Sequence, residues 1–282
     1  MSKIGLIVDS TFTVDEALAK KHDISIIPLT VFVDGQPHLD GTITIKQLEQ
    51  AFLEDKDFKT SQPTPESYVK AYEEKLKKYD EILVLTLAKN LSGTYNSATL
   101  ARDTLDQPER VTIVDTESTG AGGLYFVESV LDLLVKEPTM NDLVALCEDI
   151  KTRGFFFITV DDLKYLIKGG RITKTKAFIG NLLKKKPVLK FKDGKLGLDQ
   201  TVRSFIGVKE YIFEQSKHLM ESTKKKLKVY INYVNDIERA QSLKEKLSEL
   251  GKDVKIQIVG LVSPVVSAHV GLGALGIYLV TE

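Results

Sequence analysis

In the stretch Leu91-Ser92-Gly93-Thr94-Tyr95-Asn96-Ser97-Ala98, which follows the apolar run from Ile82 to Leu87, the turn from Ser92 to Thr94 offers two hydroxyls and a glycine. Hydroxyls and the free N–H groups of a helix start are the donors that hold an anion, and glycine lets a ligand reach the backbone. The same pattern also fits a serine that only caps a helix. A second donor-rich stretch, Thr60-Ser61-Gln62-Pro63-Thr64-Pro65, reads as a loop with two prolines and three hydroxyls. Lys168-Gly169-Gly170-Arg171-Ile172 reads as a tight glycine turn that presents an arginine, either as a helix cap or to a ligand. His269 stands in the glycine-rich segment from Gly260 to Gly276, where it is either a core histidine or a functional one. Ser92, His269 and Asp9 or Asp115 also supply the residue types of an acyl-hydrolase triad. The nucleophile elbow, however, carries glycine two residues before its serine, and here that residue is Asn90.

Positioning these groups requires particular elements. Ile4 to Val8, Ile82 to Leu87 and Val111 to Val114 are short continuous apolar runs, as strands buried on both faces are. Each ends in a polar turn: Asp9-Ser10-Thr11, Ser92-Gly93-Thr94 and Asp115-Thr116. Helical patterns alternate with them, at Thr13 to Lys21, Ile45 to Leu53, Glu66 to Tyr79, from Tyr95 onward, and from about Gly122 to Lys136. In the third of these, Tyr68, Val69, Tyr72 and Leu76 form one stripe; after Tyr95, Ala98, Leu100, Ala101 and Leu105 are expected on one side. Alternating strands and helices imply a parallel sheet, which puts the three polar turns along one edge, where α/β sheets bind ligands. Ile24 to Val33 reads as a further strand interrupted by Pro28.

The second half has different signals. Phe155 to Val160 and Pro187 to Phe191 read as strands, and Asp193-Gly194 is a two-residue hairpin signal returning through Leu196 to Val202. Ala177 to Leu183 and Val208 to Met220 read as helices, followed by strand, helix and strand at Leu227 to Tyr233, Ile237 to Leu250 and Val254 to Val259. The expectation is an α/β fold of two domains, residues 1–153 with a parallel Rossmann-like sheet and residues 154–282 with a mixed sheet.

Bulk properties exclude several classes. The 282 residues are 43% hydrophobic and 28% charged with zero formal net charge, which disfavours disorder and general nucleic-acid binding. The single cysteine, Cys147, allows neither an intrachain disulfide nor a cysteine-rich metal site, and no metal is expected. No signal peptide or integral membrane segment is apparent, so the protein is expected in the cytoplasm. No Walker pattern occurs, and Gly271-x-Gly273-x-x-Gly276 precedes a strand-like segment rather than a helix. Lys164 to Lys195 is strongly basic with Asp193 as its one acid, which fits either an anionic partner or a solvated face.

Thr-Ser-Gln-Pro, Ser-Gly-Thr-Tyr, Gly-Gly-Arg-Ile with Lys-Pro-Val-Leu and Asp-Gly, and Ala268-His269-Val270-Gly271 occur in that order. This combination, spanning Asp9 to Gly276, resembles the DegV family, whose members bind fatty acids and include the FakB-type subunits of bacterial fatty acid kinase. The resemblance implies a long-chain fatty acid between two α/β domains, with no catalytic residue and no other cofactor. It assigns the carboxylate to Thr60, with Ser61 beside it, and to the Ser92-Gly93 turn, with His269. In the kinase system a separate ATP-using subunit phosphorylates the bound acid. The resemblance implicates Arg203, the arginine after the hairpin, and His269 in engaging that partner, with Arg171 as a further partner or phosphate contact.

Overall fold

The computed structural model describes residues 2–172 and 185–282; the expected helix from Ala177 to Leu183 lies outside them. Four parallel strands, β1 (Ile4–Asp9), β2 (Ser25–Ile27), β6 (Glu81–Thr86) and β7 (Val111–Asp115), form a sheet in the order β2-β1-β6-β7. The intervening strands, β3 (Thr30–Val33), β4 (Gln36–Leu39) and β5 (Phe58–Ser61), make a small antiparallel sheet in the order β4-β3-β5. The second half forms a six-stranded mixed sheet in the order β10-β9-β8-β13-β11-β12. Its members are β8 (Gly154–Thr159), β9 (Lys186–Lys192), β10 (Lys195–Val202), β11 (Leu227–Tyr233), β12 (Val254–Leu261) and β13 (Leu275–Thr281). The mixed α/β architecture matches the expectation.

Three local readings are corrected. The expected strand from Ile24 to Val33 is two strands in two different sheets, because Pro28 has no N–H to continue a ladder. Thr60 and Ser61 are not in a loop. They end β5, where Thr60 is paired with Val31 of β3, and Pro63 lies just beyond the strand. Leu100 is exposed rather than packed with Ala98 and Ala101, since two residues along a helix turn a side chain to the far face. The hairpin signal holds: Asp193 and Gly194 both adopt positive φ, 51° and 68°, as a type I′ turn requires.

The sheets are tied together by one continuous apolar cluster. It runs from Leu6 and Val8 of β1 and Leu83 and Leu85 of β6, through Phe126 and Val130 of the helix Gly120–Leu134, to Phe156 and Tyr278 of the six-stranded sheet. The Gly120–Leu134 helix packs on β11 and β13 and is buried along most of its length, so it is apolar nearly all round. Tyr68 and Tyr72 sit on the other face of the parallel sheet, with Ile7 and Val84, as the stripe predicts.

Candidate functional site

The carboxyl ends of the parallel strands carry the expected polar turns, and most of their groups are committed to holding the turns in place. Asp9 accepts from the Thr11 hydroxyl at 2.6 Å, from Thr11 N–H at 3.0 Å and from Leu87 N–H at 2.6 Å. It thereby fixes the turn after β1 to the turn after β6. Burial pushes its pKa up to about 6 against the lowering effect of those donors. Asp40 plays a similar part over a longer span. It accepts from Ser10 Oγ at 2.7 Å and from Val265 N–H at 3.0 Å, and burial again raises its pKa. Val265 lies in the first turn of the helix Pro264–Val270, whose N-cap is Ser263. Asp40 therefore anchors to the N-terminal half the helix that carries His269.

His269 Nε2 lies 2.8 Å from Thr60 Oγ1. Burial, reinforced by the nearby Arg171 cation, pushes the His269 pKa down to about 3, so the ring is neutral near pH 7. Its other nitrogen rests against Gly169: a Cβ there would stand 2.3 Å from Nδ1. Arg171 donates from Nη1 to Gly169 O at 2.6 Å and from Nε to Leu91 O at 3.0 Å. It thus caps the helix Lys164–Lys168 and at the same time reaches the turn that holds Ser92. Burial lowers its pKa, and no carboxylate offsets that effect among the described residues.

Ser92 Oγ is 2.9 Å from Thr94 Oγ1 and accepts from Thr94 N–H at 3.3 Å, just before the helix Thr94–Arg102. Both readings of Ser92 are thus met in part: it supports the helix start and lines a cavity. Gly93 is the N-cap residue itself, and a Cβ there would fall 2.5 Å from the Gln62 amide. Glycine at 93 therefore lets the Thr-Ser-Gln-Pro stretch close onto the Ser-Gly turn. Gln62 completes that contact by donating to Ser97 Oγ at 3.3 Å.

Thr60, Ser61, Ser92, Arg171 and His269 border one cavity of about 630 Å³, counted with its open mouth. Its remaining walls are mainly apolar: Leu29 and Leu87 follow β2 and β6, Ile158, Phe191 and Leu196 lie on the six-stranded sheet, and Leu166 comes from the helix Lys164–Lys168. The motif search gives the polar end; the apolar walls carry no motif and are missed by it.

Arg203 stands apart from this cavity, exposed between β10 and the helix Phe205–Thr223. In the basic segment, Lys168 pairs with Asp57 at 2.6 Å, Lys186 with Asp161 at 2.6 Å, and Lys190 lies over the rings of Phe155 and Phe157. Lys174, Lys176 and Lys184 fall outside the described residues. The triad of a hydrolase is not assembled. Ser92 bonds Thr94, His269 bonds Thr60, and Asp9 is spent on backbone and Thr11 donors.

Comparison with known proteins agrees with this geometry. Residues 3–282 match the family profile described as an uncharacterised protein of the DegV family. A DegV domain-containing protein of Staphylococcus aureus (strain COL) is 31% identical over 283 residues, covering 100% of both chains. The chain belongs to the DegV family. A DegV family protein from Thermus thermophilus, described for its fatty acid binding, is 29% identical. Its structure superposes with a TM-score of 0.91 over 99% of this chain and 100% of that one. The Streptococcus pneumoniae Fatty Acid Kinase (Fak) B3 protein loaded with linoleic acid shares the fold at TM-score 0.86 and 22% identity, covering 99% of this chain and 100% of its own. Within the DegV fold, the cavity described above lies between the segments that follow the carboxyl ends of the parallel strands, at Thr11 and Leu87, and the six-stranded sheet, at Ile158. No helix among the described residues is long and apolar enough to cross a membrane.

Proposed function

We propose that this DegV protein binds a long-chain fatty acid, with the acyl chain in the apolar part of the cavity and the carboxylate at its polar end. One observation carries the reading. A cavity with mainly apolar walls has Thr60, Ser92, His269 and a half-buried Arg171 together at one place, and the arginine lacks a carboxylate among the described residues. The fatty acid binding described for the Thermus relative supports it.

The energetics divide between the two ends. A buried methylene contributes about 0.8 kcal/mol, so a tail of a dozen contributes on the order of 10 kcal/mol before association costs. The polar end adds less and fixes direction: Thr60, Ser61 and the Ser92-Gly93 turn donate to the carboxylate, neutral His269 holds Thr60 in place, and Arg171 supplies the counter-charge. Residues 1–153 and 154–282 act as two domains with the acid between them. The protein is a binding subunit with no catalytic residue and no further cofactor. In the cytoplasm it presents the carboxylate to an ATP-using kinase subunit for acyl phosphate formation, and exposed Arg203 is a contact for that partner. The shared fold of the pneumococcal fatty acid kinase B3 protein is compatible with this role.

The test is native mass spectrometry of freshly purified protein, with extraction and identification of any released lipid. A stoichiometric long-chain acid is expected. A protein that carries none and takes up neither palmitate nor oleate refutes the reading.

A further inference from the structure

A second hollow of about 370 Å³, counted with its open mouth, adjoins the main cavity, and Phe191 alone among the described residues borders both. Phe191 is 8% exposed and stacks on Phe156 with ring centroids 5.1 Å apart and planes 16° apart. Phe156 borders only the second hollow, so the paired rings stand as a wall with the main cavity on one side. Phe126, Phe156 and Tyr278, all nearly fully buried, line the hollow together with polar residues that include Glu117, Lys151 and Asp193. The adjoining residues Ser118 and Thr119 contribute one to each space: Ser118 borders the hollow and Thr119 the main cavity. Their hydroxyls are buried and have no hydrogen-bond partner among the described residues.

We propose that Phe191 is the residue that limits acyl-chain length, and that the hollow behind it is the space into which a longer chain extends when the ring is removed. The inference rests on the fatty-acid reading above. Methylenes that stop at the Phe191 ring are buried, and further ones gain nothing unless they bend back or displace it. Opening the wall gives the extra methylenes the rings of Phe126, Phe156 and Tyr278 to cover within a lining that is otherwise largely polar, with an expected gain of up to about fourfold in affinity for each methylene buried against those rings.

The experiment measures dissociation constants for saturated acids from myristate to behenate on the wild type, Phe191→Ala and Phe191→Leu. Circular dichroism and thermal melts are recorded for each protein. In the wild type, affinity should rise with length and then level or fall. In Phe191→Ala the rise should continue to longer acids, and in Phe191→Leu, which preserves more of the packing, the shift should be smaller in the same direction. A folded Phe191→Ala or Phe191→Leu protein with the wild-type length optimum overturns the proposal. A wild type that binds no acid of any length overturns the fatty-acid reading instead, so the two failures are distinguishable.

Discussion

Replacing Arg171 by glutamine separates the charge of the polar end from its shape. The guanidinium is held by two backbone carbonyls, Gly169 O at 2.6 Å and Leu91 O at 3.0 Å, and it lies at the cavity edge with its charge uncompensated among the described residues. A hydrogen bond to a charged group contributes about 1.5–3 kcal/mol. Arg171→Gln should therefore weaken palmitate binding by roughly ten- to 150-fold. Hexadecanol has the same tail without the charge, so its affinity should change far less. Arg171→Lys, which keeps the charge and loses the planar fork, should fall between wild type and Arg171→Gln for the acid. Isothermal titration or a competitive fluorescence assay gives all six constants, and a thermal melt of the ligand-free proteins reports on folding. Equal losses for acid and alcohol, or no loss for the acid in a folded variant, would refute the argument that Arg171 is the counter-ion.

Three further outcomes are expected. Gly169→Ala places a methyl group 2.3 Å from His269 Nδ1, so the ring must leave Thr60; acid affinity should fall roughly three- to tenfold, measured by the same titration, and an unchanged affinity would contradict a role for the Thr60–His269 contact. Asp9, held up to about 6 by burial, contributes stability that is full below its unfolded value near 4 and is lost as pH rises through 6. The span is about 3 kcal/mol, and urea unfolding should show that much less pH dependence in Asp9→Asn than in wild type. Arg203→Ala should leave fatty acid binding intact, since Arg203 stands outside the cavity, and should slow acyl phosphate formation when the kinase subunit and ATP are supplied; a matching loss of binding would count against that division.

Three of the four parallel strands, β1, β6 and β7, were legible because each is a short apolar run closed by a polar turn, a pattern with few other solutions, whereas β2 was merged with its neighbour across Pro28. The polar end of the cavity was legible for the same reason: Thr60, Ser92, Arg171 and His269 sit at motif positions with conspicuous residue types. Strand β5 was not, since Phe58 is the one apolar residue of its four, which leaves no alternation, and its neighbouring prolines suggest a loop. The parts of the cavity made by tertiary contact were hidden as well. Asp40 meets Val265 across 225 residues of sequence, and Phe191 shows its significance only through the two spaces on either side of it. Sequence periodicity states that such residues are buried, but not against what.

The position of β13 has a consequence for the order in which the six-stranded sheet can close. The last strand in sequence lies inside the six-stranded sheet, between β8 and β11. Until Leu275–Thr281 has been synthesised, β8 to β10 and β11 with β12 are unjoined pieces, each with an open edge that another chain could pair with. The helix bearing His269 ends only five residues before that strand begins, so sheet closure and completion of the cavity's polar end depend on neighbouring stretches of chain. A chain cut before Leu275 would therefore leave both pieces of the sheet open and the segment after His269 without the strand it leads into.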